Sequence, residues 1–172
     1  MLTSKPYLRG VKPKVYVETT IVSYLTARPS RDLLTAAHQQ VTREWWTERR
    51  SAFDLYISQF VISEARRGDR IAAEQRLEVL REIPLLAPRE DAQALAKDLV
   101  TKGPIPQRAA ADAAHIALAA VHGMEYLITW NCTHIANAEM RGEIEAICRA
   151  RGLEPPILCT PEELMGETHE EG

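Results

Sequence analysis

Cysteine is scarce and poorly placed for pairing: Cys132, Cys148 and Cys159 are the only three in 172 residues, and no CxxC spacing occurs. An odd number at irregular spacing excludes a disulfide framework and a zinc knuckle, and points to reduced thiols in a cytoplasmic protein. Long apolar runs are missing too. The most apolar stretch, Ala109 to Val121, is interrupted by Asp112 and His115 and falls short of the ~20 residues a membrane-spanning helix needs. The start of the chain, Met1 to Lys14, is basic, but no apolar core follows it, so no secretory signal is expected. Glycine numbers 8 and aromatic residues make up 6%. A glycine-rich phosphate loop, a Rossmann fingerprint and a Ser-His-Asp order are all lacking, which removes the chemistries that depend on them. There is no internal repeat and no low-complexity linker.

What is present fits one soluble domain. Hydrophobic residues make up 45% and charged residues 26%, and a chain of this length buries roughly 70% of its unfolded surface without needing staples. We expect a single domain over residues 14–160, an N-terminal extension over 1–13 and a C-terminal tail over 161–172. The net charge of −3 hides an asymmetry: residues 1–81 carry 14 Lys and Arg against 9 Asp and Glu, whereas residues 82–172 carry 7 against 15. Arginine supplies 16 of the 21 cations, and its planar fork suits phosphate better than the point charge of lysine.

Strand and helix signals alternate. Lys14 to Val17 reads as a buried strand, and Glu18-Thr19-Thr20 offers capping side chains before a short helix over Ile21 to Leu25. Leu33, Ala37, Val41 and Trp45 recur at helical spacing, predicting one long helix over Asp32 to Arg50. Asp54 to Ser58 is a second strand, followed by a helix from Gln59 to Gly68 that carries Glu64. Further helices are expected over Asp69 to Glu82, Glu90 to Val100, Gln107 to Val121 and Glu139 to Arg151. Further strands are expected at Tyr126 to Thr129 and Ile157 to Cys159, with a minimal one at Pro84 to Leu86. The alternation predicts a parallel sheet of four to five strands covered on both faces, and ligands of such sheets bind beyond the carboxyl ends of the strands.

Several polar residues sit where that rule places a site. Asp112 lies in a helix that is apolar nearly all round, where an unpaired carboxylate is costly and calls for a cation, a metal or a raised pKa. Pairing with Arg108, its i−4 neighbour, is the bland alternative. Glu64 shares a helix face with Phe60, Glu18 ends the first strand, and Thr129 and Asn131 follow the Tyr126 strand. Converging oxygens of this kind are the ligand set of a hard divalent ion such as Mg²⁺ or Mn²⁺. Two ions ~3.5–4 Å apart would serve an in-line phosphoryl displacement. His115 is read as a core histidine bonded to a backbone group or carboxylate, and His134 and Asn137 as residues near the mouth of the site. Arg66 and Arg67 flank Glu64 as candidate phosphate contacts. Of Trp45 and Trp46, one packs into the core and the other covers an interface.

The order Val15-Tyr16-Val17-Glu18-Thr19-Thr20, Ile62-Ser63-Glu64, Ala111-Asp112-Ala113-Ala114-His115-Ile116-Ala117-Leu118-Ala119 and Leu127-Ile128-Thr129-Trp130-Asn131 resembles the PIN domain over residues 14–160. The resemblance implies a three-layer α/β/α sandwich and Mg²⁺- or Mn²⁺-dependent cleavage of RNA. It also implies metal ligation by Glu18, Glu64 and Asp112, with Asn131 at the fourth acidic position and Thr129 supporting the site. Many small bacterial members are VapC-type toxins held by an antitoxin. Two departures stand out: the first acid is usually aspartate, and the fourth position is often acidic. Three readings follow. The first is a metal-dependent endoribonuclease with Arg66, Arg67, Thr129 and Asn137 toward substrate; it is a toxin if an antitoxin partners it. The second is a non-cutting RNA-binding or interaction module of the same fold, and the third a phosphatase-like α/β enzyme. A homodimer through the arginine-rich helices and an exposed Trp45 or Trp46 is compatible with each.

Overall fold

β-Branched and aromatic residues after Pro13 form the central strand, and the other strands are added around it. The computed structural model describes residues 10–166; most of the N-terminal extension and the end of the acidic tail lie outside the described residues. The strands are β1 (Lys14–Val17), β2 (Asp54–Tyr56), β3 (Tyr126–Ile128) and β4 (Ile157–Cys159), in the order β2-β1-β3-β4. All three pairings are parallel. Parallel strands need crossovers, and these are supplied by α1 (Thr19–Thr26), α2 (Leu33–Glu44), α3 (Gln59–Ala65), α4 (Arg70–Leu80), α5 (Glu90–Thr101), α6 (Ala110–Val121) and α7 (Ala138–Ala150). The result is the expected three-layer α/β/α sandwich with a four-stranded parallel sheet.

The minimal strand at Pro84 to Leu86 is reduced to one bridge. Ile57 N–H donates to the Pro84 carbonyl at 3.0 Å, and Leu86 N–H to the Ile57 carbonyl at 2.8 Å. Pro84 cannot donate to a ladder, which keeps this edge short. A second difference is the long helix expected to Arg50. Regular α-helix ends at Glu44, and a π turn over Trp45–Arg49 and a 3₁₀ turn over Arg50–Ala52 complete it. Adjacent indoles on a regular helix face directions about 100° apart. Here Trp45 is wholly buried and stacked with Phe53, while Trp46 lies under the Arg50 guanidinium, 4.3 Å from its carbon to the ring centre.

The core is continuous across the layers. Val15, Tyr16, Val17, Leu127 and Ile128 from the sheet meet Ile21, Val61, Leu95, Leu99, Ile116 and Ile144 from the helices, all with at most 1% exposure. Helix α6 is buried from Ala113 onward except at Ala114, as its alanine-rich sequence implies. Asp112, one residue earlier, is only partly buried.

Candidate functional site

The order β2-β1-β3 puts successive crossovers on opposite sides of β1, so a crevice opens at the carboxyl ends of β1 and β3. Val17 is in register with Ile128, and Glu18 N–H continues the ladder to the Ile128 carbonyl at 3.1 Å. The next residues, Glu18 and Thr129, are therefore neighbours at the sheet edge. Glu18 turns there from strand to helix, caps α1 and is 3% exposed. Its Oε2 accepts three hydrogen bonds: from Thr20 N–H at 3.0 Å, the Thr20 hydroxyl at 2.5 Å and the Thr129 hydroxyl at 2.7 Å. Among the described residues no hydrogen bond is made to Oε1. Both hydroxyls also accept a backbone donor from the loop after β3: Trp130 N–H reaches Thr20 Oγ1 at 2.8 Å, and Asn131 N–H reaches Thr129 Oγ1 at 2.9 Å.

Glu64 arrives from α3. Its Oε1 lies 2.5 Å from His115 Nε2 on α6, and the far ring nitrogen of His115 lies 2.6 Å from the Tyr16 hydroxyl, itself 2.6 Å from Ser58 Oγ. Tyr16, Ser58 and His115 are all buried. Burial of Glu64 would raise its pKa, but the hydrogen bond from His115, with Arg67 behind it, outweighs this and holds the carboxyl below its ordinary value. Burial drives the Tyr16 phenol well above its ordinary value; Ser58 opposes this, and the charges of Glu18 and Glu64 add to it.

Ligand atoms of Glu18, Glu64 and His115 all lie within 4.8 Å of one another. Asp112 is outside that group. Its carboxylate sits in the first turn of α6, where the helix dipole favours it, and meets His134 Nδ1 at 3.0 Å, not Arg108. His134 N–H in turn donates to Asn131 Oδ1 at 3.1 Å. A continuous chain of hydrogen bonds thus runs from Asp112 through His134, Asn131 and Thr129 to Glu18. Arg66 and Arg67 are exposed at the end of α3. Asn137 caps α7, accepting Glu139 N–H at 2.9 Å while its amide donates to the Thr133 carbonyl.

The family model of the PIN domain matches residues 15–131, most of the chain, and includes Glu18, Glu64, Asp112, His115, Thr129 and Asn131. The chain belongs to the PIN domain family. PIN domains are generally nucleases. A solved structure of the same fold is VapBC2 from Rickettsia felis bound to a DNA fragment from their promoter. It has a TM-score of 0.50 and 16% identity over 69% of this chain and 88% of that one. No curated protein is significantly similar.

The donor set of this PIN domain fits a hard divalent ion. Two carboxylates converge at a partly open edge, one with an oxygen that accepts no hydrogen bond among the described residues, and oxygen ligands are what Mg²⁺ and Mn²⁺ take. His115 fits less well as a ligand, because both of its ring nitrogens already have partners. The reading of His115 as a histidine bonded to a carboxylate matches this geometry. The hydroxyls of Tyr16 and Ser58 escaped the sequence. The signal was a tyrosine between two valines of a buried strand, whose O–H needs a partner.

Proposed function

We propose that this PIN domain is a metal-dependent endoribonuclease that hydrolyses RNA phosphodiesters. Glu18, Glu64 and Asp112 would hold Mg²⁺ or Mn²⁺, with Asn131 at the fourth position and exposed Arg66 and Arg67 along the phosphate path. The observation that carries this reading is the approach of Glu18 and Glu64 at the sheet edge, within the 4.8 Å cluster. Two carboxylates so close repel one another unless a cation is shared. A bound divalent ion supplies Lewis-acid polarisation of the phosphodiester and activation of water. The chain's own contribution is to anchor Glu18 on Thr20 and Thr129, hold Glu64 beside His115 and Arg67, and present exposed Arg66 and Arg67 at the end of α3. Thr129, buried under Glu18, serves the site from behind. Asn137 is engaged at the start of α7 and holds the loop that carries Asn131 and His134.

The test is cleavage of single-stranded RNA with Mn²⁺ and with EDTA, for the wild type, Glu64→Gln and Asp112→Asn. Cleavage that needs Mn²⁺ and falls at least 100-fold in both variants is expected; equal cleavage by Asp112→Asn rejects the mechanism. The likeness to VapBC2 supports a small antitoxin protein as partner, which co-expression with the neighbouring open reading frame would reveal. Two observations favour a non-cutting RNA-binding module instead: Asn131 is neutral, and Asp112 already has His134 against it. Calorimetric titration with Mn²⁺ separates the readings, since the module predicts no binding heat.

A further inference from the structure

Glu64 is the one carboxylate of the cluster whose partner is a wholly buried ring, and that ring is held from behind. The order Ser58, Tyr16, His115, Glu64 links β1, α6 and both ends of the segment that follows β2, through contacts of 2.6, 2.6 and 2.5 Å. A carboxylate can only accept a hydrogen bond, so Nε2 of His115 carries the proton in its contact with Glu64. The Tyr16 O–H, 2.6 Å away, is the donor available to Nδ1. Ser58 then donates to the tyrosine oxygen, and every buried polar atom in the row is satisfied in one sense of direction. The ring is further fixed by edge contacts with Tyr16, 5.7 Å between centres, and with Phe60, 6.2 Å.

From this arrangement we infer that Tyr16, backed by Ser58, is a positioning residue that acts through His115 to hold the Glu64 carboxylate in the orientation a divalent cation requires, and that His115 is not itself a ligand. The inference rests on the metal-site reading above. Outer partners of this kind set ligand orientation, and their loss typically weakens metal affinity 10- to 100-fold. Glu18 has an independent anchor in Thr20 and Thr129, so removing the Tyr16 hydroxyl disturbs one ligand and leaves the other in place.

Tyr16→Phe is the informative variant, because it keeps the ring and removes only the oxygen. Nitrogen NMR of the full chain needs no metal. In the wild type, His115 Nε2 should be protonated, with Nδ1 bare and hydrogen-bonded, and the Nδ1 resonance should move toward its free value in Tyr16→Phe. A proton on Nδ1 in the wild type, or an unmoved resonance in the variant, overturns the inference. Calorimetry with Mn²⁺ should show Kd raised about 10- to 100-fold in Tyr16→Phe, with circular dichroism unchanged; equal Kd overturns it. Saturation with Mg²⁺ should leave the Nε2 proton in place, and its loss would make His115 a ligand. Should the wild type bind neither ion, the nuclease reading fails, and the Nδ1 resonance alone decides whether Tyr16 positions His115 and Glu64.

Discussion

At the scale of single residues, the extra methylene of Glu18 explains its geometry. A glutamate at the end of β1 reaches back over its own helix start and accepts Thr20 N–H, and Thr129 from the next strand closes the grip. Replacing Thr129 with valine removes a donor to Glu18 and leaves Asn131 N–H without its acceptor. Such a loss costs about 1–3 kcal/mol, which urea unfolding would measure as a lower midpoint at unchanged slope. Glu64 sets a pH dependence whose sign follows from its lowered pKa. A carboxyl that is more acidic folded than unfolded stabilises the fold above its unfolded value, and that contribution disappears as pH falls through the folded one. Glu64→Gln should therefore flatten the acid limb of a stability profile below its ordinary 4.5 and leave the alkaline limb alone. The turn at Glu18 was legible because a β-branched run ends there and capping residues begin. Asp112 was legible as an anomaly but not in its burial: α6 closes over only after the first turn, and a histidine 22 residues away reaches it. Nothing local announces a partner at that separation.

At the scale of elements, amphipathic spacing and turn residues gave the helices to within a few residues, since each is bounded by its own cap or breaker. Asp32, Asp69 and Asn137 cap α2, α4 and α7 with side-chain oxygens. Where the reading and the structure part, at the π turn over Trp45–Arg49, the cause is tertiary: both indoles must be placed, and periodicity contains no term for that. Two glycines test how elements meet. Gly103 follows α5, and a Cβ there would lie 2.6 Å from both the Leu99 carbonyl oxygen and Ile147 of α7. Gly103→Ala should destabilise by about 1–3 kcal/mol, as overpacking does. Gly142 lies inside α7 with open space where its Cβ would be, so Gly142→Ala should stabilise by about 0.5–1 kcal/mol. Thermal unfolding of the pair should shift in opposite directions.

At the scale of the whole molecule, the sheet and α6 form a core that needs no ion. Cys148 and Cys159 are buried thiols pushed up to about 11 and about 12 by burial, so they are poor nucleophiles and poor ligands. No helix among the described residues is long and apolar enough to cross a membrane. The protein should therefore keep its fold in EDTA, and Mn²⁺ at 100 times its Kd should add about 2.7 kcal/mol of stability, seen as a rise in Tm of several degrees; an unchanged Tm argues against binding. The charge division along the chain is partly resolved in space, with Arg67 acting on Glu64 and several ion pairs on exposed helix faces, where each is worth little. Trp130 connects the crevice to the outer layer: its amide holds Thr20, its indole N–H donates to Thr42, and its ring stacks on His38 with centres 4.0 Å apart. A fluorophore clamped to the loop beside Glu18 makes a native optical reporter, whose emission colour and intensity should register an occupant of the crevice without any attached dye.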